Sequence, residues 1–124
     1  MQGFKDLKVY QKAFQLAMDI FKVSKTFPKE EKYSLTDQIR RSSRSVCANI
    51  AEAYRKRNYP KHFFNKLTDS DAESSETLVW LDFALACEYL SPSEYEELIN
   101  QNIEIGKMLG SMMKNSHKYV IKTN

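Results

Sequence analysis

The chain has 124 residues, enough for one independent core, but only three glycines and three prolines, so it is poor in the residues that strands and tight turns demand. Hydrophobic residues at 42% and charged residues at 28% exclude a disordered chain. The net charge of +3 conceals a strong segregation: residues 40–66 hold five arginines, three lysines and one acid, whereas residues 67–106 hold ten acids and no lysine or arginine. Such bipolarity suits polyanion binding through the basic part, and equally suits the docking of one copy of the chain on another.

In chain order, Leu7, Tyr10, Phe14, Ala17 and Phe21 recur at spacings of three and four. This predicts an amphipathic helix over about 6–26 with that stripe toward the core. Pro28 disfavours helical geometry in Phe27 and ends it. In the short connector, Phe27 and Tyr33 are expected to tuck under the molecule. Ser34 is the expected N-cap of a second helix over 35–57, with Asp37 three residues on.

That second helix carries two opposed faces. At about 100° per residue, Leu35, Ile39, Ser42, Ser43, Val46, Ile50 and Ala53 form the inward stripe. Arg40, Arg41, Arg44 and Arg55 gather on the other side with Asp37, and Asn49 sits at the edge of the apolar stripe. Asn58-Tyr59-Pro60 breaks the helix, and Pro60 opens a third over 60–89. Its expected seam is Phe64, Leu67, Asp71, Ser74, Leu78, Leu81 and Leu85. Leu90-Ser91-Pro92-Ser93 is a tight link with Ser91 as N-cap. A fourth helix over 92–115 follows, apolar at Leu98, Ile103, Ile105, Leu109 and Met112, with Glu94, Glu96 and Glu97 at its positive end. Residues 116–124 are expected to fray. Four helices with short links predict an all-α, antiparallel up-down-up-down four-helix bundle in a single domain.

The N-terminus lacks the pattern of a secretory leader, and the most apolar run, Leu78–Cys87, is interrupted by Asp82 and too short to span a bilayer. A cytoplasmic location without membrane association is expected. Cys47 and Cys87 then read as reduced thiols buried in helices. No catalytic residue, metal site or cofactor is expected. A di-metal bundle needs Glu-x-x-His pairs, and the positions three before His62 and His117 are Tyr59 and Lys114. Phosphate-binding glycine loops and nucleophile elbows are absent from the sequence.

Two features remain. The first is a basic surface of Arg40, Arg41, Arg44, Arg55, Lys56, Arg57, Lys61 and Lys66, extended by His62, with Tyr54 and Tyr59 placed to stack on unpaired bases. It fits nucleic-acid phosphates, the acidic half of a neighbouring subunit, or solvent; Arg44→Glu is expected to separate ligand binding from assembly. The second is a polar layer where the second helix (Ser42, Ser43, Ser45 and Asn49) and the third (Asp71, Ser74, Ser75 and Glu76) interrupt their apolar rhythm, with Glu52 beside it. Such serines also simply permit close helix approach.

The strings Phe4–Ala13 (FKDLKVYQKA), Phe27-Pro28 with Glu31, Gln38–Arg41 (QIRR) and Asn49–Glu52 (NIAE) resemble the bacterial four helix bundle protein family. That S23-like family is also named for the intervening sequences of 23S rRNA genes in which some members are encoded. The resemblance spans about Phe4 to Asn115 and is most specific in the RR-x-x-x-S-V-x-x-N-I-A-E block followed by Arg57. It departs at Ala53, where the family usually has glycine. The resemblance implies a homo-oligomer, specifically a ring-like pentamer. It also implies association with RNA or DNA, since the accessory protein of diversity-generating retroelements has a comparable bundle and works with nucleic acid and a reverse transcriptase. The expected function is therefore a non-enzymatic, oligomeric nucleic-acid-associated protein. The alternative is a homo-oligomeric adaptor that recruits a protein partner.

Overall fold

The computed structural model describes residues 3–120 as helices joined by short connections, with no strand among them. A 3-10 turn at Phe4–Asp6 leads into α1 (Lys8–Ser24); α2 spans Asp37–Arg55, α3 Pro60–Ala86 and α4 Pro92–Lys114. Each helix packs on its neighbour in sequence, and α1 closes the bundle against α4. Ile20, Ile39, Ile50, Leu67, Leu81 and Ile105 fill the centre, each essentially inaccessible to solvent. The all-α four-helix bundle is as the periodicity predicts.

The α2 stripe is buried as expected from Leu35 to Ala53, both serines included. Ala53, at the position where the resembling family has glycine, contributes its methyl group to the core. Two other faces differ from expectation. In α1 the core takes Val9, Ala13, Leu16, Ala17 and Ile20, while Phe14 lies half exposed at the side of the bundle. In α3 the buried series is Phe63, Leu67, Ser70, Ser74, Thr77, Leu81 and Ala84. Phe64 is exposed, and Asp71, Leu78 and Leu85 lie at the edges of the seam. Both helices carry apolar residues on more than one side, so two adjacent stripes satisfy the same period. In α4, Ile103 points outward.

Terminal chemistry sets the corners. Ser91 caps α4 in a full capping box: its Oγ accepts from the Glu94 amide (3.0 Å) and the Glu94 carboxylate accepts from the Ser91 amide (2.9 Å). α3 stops at Ala86, three residues early, because Glu88 turns into the left-handed region (φ 63°). There the Glu88 amide donates to the Leu85 carbonyl (2.9 Å) and the Tyr89 amide to that of Ala84 (2.8 Å), satisfying two helix-end acceptors. Cys87 is consequently exposed at this corner rather than buried in a helix. Ser34 does not cap α2. A 3-10 turn at Lys29–Glu31 and a π-helical turn at Lys32–Thr36 feed straight into it, and Ser34 Oγ donates to Glu31 (2.6 Å). Tyr89 also donates to Glu31 (2.8 Å), and its ring meets the buried Phe27 (centroids 5.8 Å apart). Tyr33, expected beneath the bundle, is exposed. Ser116–Tyr119 forms a 3-10 turn rather than a frayed end, with Tyr119 against Phe63 (5.8 Å); residues 121–124 lie outside the described residues.

A polar layer is present with partly different members. Ser42 and Thr77 share a hydroxyl bond (2.9 Å), and Ser70 donates to the Val46 carbonyl (2.9 Å). Ser74 donates to Asn102 Oδ1 while Asn102 Nδ2 donates to the Ser74 carbonyl (3.1 Å each). Of the expected members, Ser42 and Ser74 belong to it. The half-buried Asn49 donates to Ser45 of its own helix (2.9 Å), and Glu52 and Glu76 face outward to cations.

Candidate nucleic-acid interface

Arg40, Arg41 and Arg44 lie on successive turns of α2 and border, with Asp37, Ser45 and Ala48, a shallow groove of about 430 Å³. Their surroundings set them apart. The Arg40 guanidinium lies 4.8 Å from the centre of the Phe21 ring, and its Nε donates to the buried Ser24 hydroxyl (2.8 Å). Arg44 borders the same ring at 5.8 Å. Arg41 crosses to α3, bonding Glu76 (2.6 Å) and both carboxylate oxygens of Glu73 (3.3 Å each). The hydrogen bond to Glu73 raises the Arg41 pKa above its ordinary value, helped by the charges of both carboxylates. Arg41 is thus neutralised by the acidic half of its own chain. Lys66 is engaged similarly by Glu52 (2.6 Å), with Asp69 farther off (3.9 Å), and its pKa is raised chiefly by the Glu52 hydrogen bond.

The corner between α2 and α3 is different. α2 ends at Arg55, Lys56 leaves helical geometry, and the Tyr59 amide closes a turn on the Lys56 carbonyl (2.9 Å) before Pro60 restarts a helix. This reversal brings Arg55, Lys56, Arg57 and Lys61 to one end of the bundle. Among the described residues, no carboxylate lies within ion-pair distance of any of the four. Cations in the last turn of α2 complement its dipole, and the first turn of α3 contains no acid, so its unpaired amides add positive potential. The Arg57 guanidinium lies over the Tyr54 ring, 3.6 Å from its centroid, and its Nε donates to the Tyr54 carbonyl (2.7 Å). Tyr59 is 63% exposed and stands edge-on to His62 (6.2 Å). The corner therefore offers unpaired charge and two flat π surfaces: an exposed tyrosine ring and a tyrosine-backed guanidinium.

Residues 5–111 match the family described as 23S rRNA-intervening sequence protein. The chain belongs to that family. A protein of unknown function from the S23 ribosomal protein family of Bacteroides thetaiotaomicron, whose crystal structure was determined at 1.70 Å, has the same fold. It is 34% identical, with a TM-score of 0.78 over 86% of this chain and 95% of that one. No curated protein matches. Family membership accounts for the bundle and for the resemblance carried by the QIRR and NIAE strings.

Of the basic residues expected to act together, the structure gathers Arg55, Lys56, Arg57 and Lys61 at one corner and pairs Arg41 and Lys66 with carboxylates of their own chain. Sequence reasoning missed Glu73 as a ligand of Arg41 and Asn102 as the partner of Ser74. Asn102 falls on the inward stripe of α4 between Leu98 and Ile105, a polar interruption at core spacing that was legible in principle.

Proposed function

We propose that the protein is a non-enzymatic nucleic-acid-associated protein that holds the phosphates of RNA or DNA at the α2–α3 corner. The observation that supports this most is the set of four cations with no ion-pair partner among the described residues, Arg55, Lys56, Arg57 and Lys61, beside the exposed ring of Tyr59. Phosphates meet the cations, and an unpaired base stacks on Tyr59 or on the Arg57–Tyr54 pair. Arg40 and Arg44 extend the positive field along α2, while Arg41 and Lys66 are structural. The family's name refers to the 23S rRNA intervening sequence, which makes structured RNA the first ligand to assay.

Fluorescence-anisotropy titration against structured RNA, single-stranded DNA and duplex DNA, at low and near-physiological salt, tests this reading. Arg55→Glu with Lys61→Glu is expected to weaken binding at least tenfold and to flatten its salt dependence. The log–log slope should fall by about 0.7–0.9 for each phosphate that is no longer neutralised. Arg41→Ala is expected to leave binding within about twofold, since that side chain already faces Glu73 and Glu76. Absence of binding at low salt, or indifference to the double reversal, overturns the proposal.

A further inference from the structure

Away from the corner, two shallow grooves adjoin where α1 runs beside α2. One is the cationic groove bordered by Arg40, Arg41 and Arg44. The other, of about 380 Å³, is lined by Phe4, Tyr10, Phe14 and Met18 on one side and by Ala48 and Ala51 of α2 on the other. Arg44 and Ala48 line both, so the two are continuous.

The cationic end is assembled around a single ring. Arg40, Arg44 and the Lys25 ammonium all lie over Phe21, at 4.8, 5.8 and 4.9 Å from its centre. Among the described residues, no carboxylate lies within ion-pair distance of any of the three, and Asp37, which borders the groove, pairs with none of them. Three like charges gathered on one ring repel one another, and a bound anion relieves that repulsion. Arg40 is already oriented for it. The buried Ser24 hydroxyl gives its proton to the Phe21 carbonyl (3.0 Å) and accepts from Arg40 Nε (2.8 Å), which leaves both terminal guanidinium nitrogens for a ligand. A planar guanidinium held in this way matches the oxygens of a phosphate.

The apolar end is a row of rings. Phe4 stands edge-on to Tyr10 (5.0 Å), and Tyr10 is tilted against Phe14 (6.2 Å), whose ring is 52% exposed. Ala48 and Ala51 rise little above the α2 backbone, so the groove stays open beside these rings. A flat apolar group carrying a phosphate satisfies both ends, and aromatic faces beside a cationic path are how unpaired strands are held.

We infer that the double groove is a second nucleotide subsite, in which Arg40, Arg44 and Lys25 hold a phosphate and Phe14 stacks on an unpaired base. The subsite rests on the nucleic-acid reading of the α2–α3 corner and narrows its ligand to a single strand or an unpaired loop, because a base inside a duplex offers no free face. Arg44 and Arg55 are eleven residues apart, about 16 Å along α2 and about 20° around it, so one strand passes from the subsite to the corner.

The test uses a single-stranded RNA of about eight nucleotides, within the usual range of single-strand site sizes, carrying a fluorescent adenine analogue, and a duplex of the same sequence. Wild type is expected to quench the analogue on binding. Phe14→Ala should abolish the quenching and weaken single-strand binding by about tenfold, while duplex binding stays within about twofold. Phe14→Tyr, which keeps the ring, should restore both quenching and affinity. Arg44→Gln should flatten the salt dependence of single-strand binding by about 0.7 in log–log slope. Circular dichroism verifies that each variant is folded. A folded Phe14→Ala that quenches and binds like wild type, or that loses single strand and duplex alike, overturns the subsite. So does a groove covered by another polypeptide, which gives no quenching in wild type and a change in sedimentation for Phe14→Ala. In each of these cases the corner reading stands as long as Arg55→Glu with Lys61→Glu still weakens binding; if wild type binds no RNA at low salt, both fall.

Discussion

Asn102 joins α4 to α3 through two hydrogen bonds to a single residue, and both residues are buried. Asn102→Ala removes both bonds, at about 1 kcal/mol each, and leaves a void the size of a carboxamide. The Ser74 hydroxyl retains a fallback in the carbonyl one turn earlier in its own helix, which limits the penalty for stranding it. The expected loss is about 2–3 kcal/mol, a large fraction of the roughly 5–15 kcal/mol typical of a domain. In urea this moves the unfolding midpoint down by about 1–2 M with an unchanged slope. Ser74→Ala alone should cost about 1 kcal/mol, because the Asn102 amide still reaches the Ser74 carbonyl, and the double-mutant cycle should return a coupling of about 1 kcal/mol. Asn49→Ala is the contrast: its amide bonds only within α2, so it should change stability by less than about 0.5 kcal/mol. Protein concentration is held constant across the series, since self-association stabilises by mass action. If Asn102→Ala unfolds within about 0.5 kcal/mol of wild type, or Asn49→Ala costs as much as Asn102→Ala, the polar layer is not where these bonds place it.

Three further outcomes follow from local geometry. Glu88 holds a left-handed backbone that glycine adopts freely, so Glu88→Gly should raise stability by about 1 kcal/mol in the same urea assay. Burial pushes the Cys47 thiol up to about 11, while Cys87 is exposed; a thiol reagent at pH 8 should therefore modify one cysteine per native chain and the second only after denaturation. The bond to Glu31 raises the Tyr89 phenol to about 12, and the Ser34 and Tyr89 bonds lower the Glu31 carboxyl. A raised phenol stabilises the fold below its ordinary value of 10 and loses that contribution as pH climbs to about 12. The lowered carboxyl contributes above its ordinary value and is lost as pH falls through its folded one. The advantage of wild type over Tyr89→Phe in thermal melts should thus be present near neutrality and vanish at both extremes. A pH-independent difference would refute the Glu31 link.

The inward face of α2 was legible because its apolar residues stand in a strongly polar helix, where only one stripe satisfies the period. α1 and α3 lack that contrast. Phe63 and Phe64 are adjacent and equally apolar, and so are Val9 and Tyr10, and a repeat of 3.6 cannot choose between neighbouring stripes. The same ambiguity misplaced Phe14, which the period assigns to the core and the packing leaves half exposed. The corner cations were found because proximity in sequence becomes proximity in space at a short turn. The partner of Arg41 could not be found that way, as Glu73 and Glu76 lie more than thirty residues on and meet it only through the α2–α3 register.

By itself, the sequence determined the four helices, the proline-marked starts of α3 and α4, the Ser91 cap and the separation of basic from acidic halves. Each of these depends on residues within a few turns of one another, where propensity, capping and periodicity act. The tertiary structure alone decided which of two apolar stripes is core and which is surface, which arginines are already paired, and that Asn102 rather than Asn49 completes the polar layer. Those outcomes depend on how antiparallel helices rotate and slide against one another, and side-chain packing across the whole bundle selects that rotation and register.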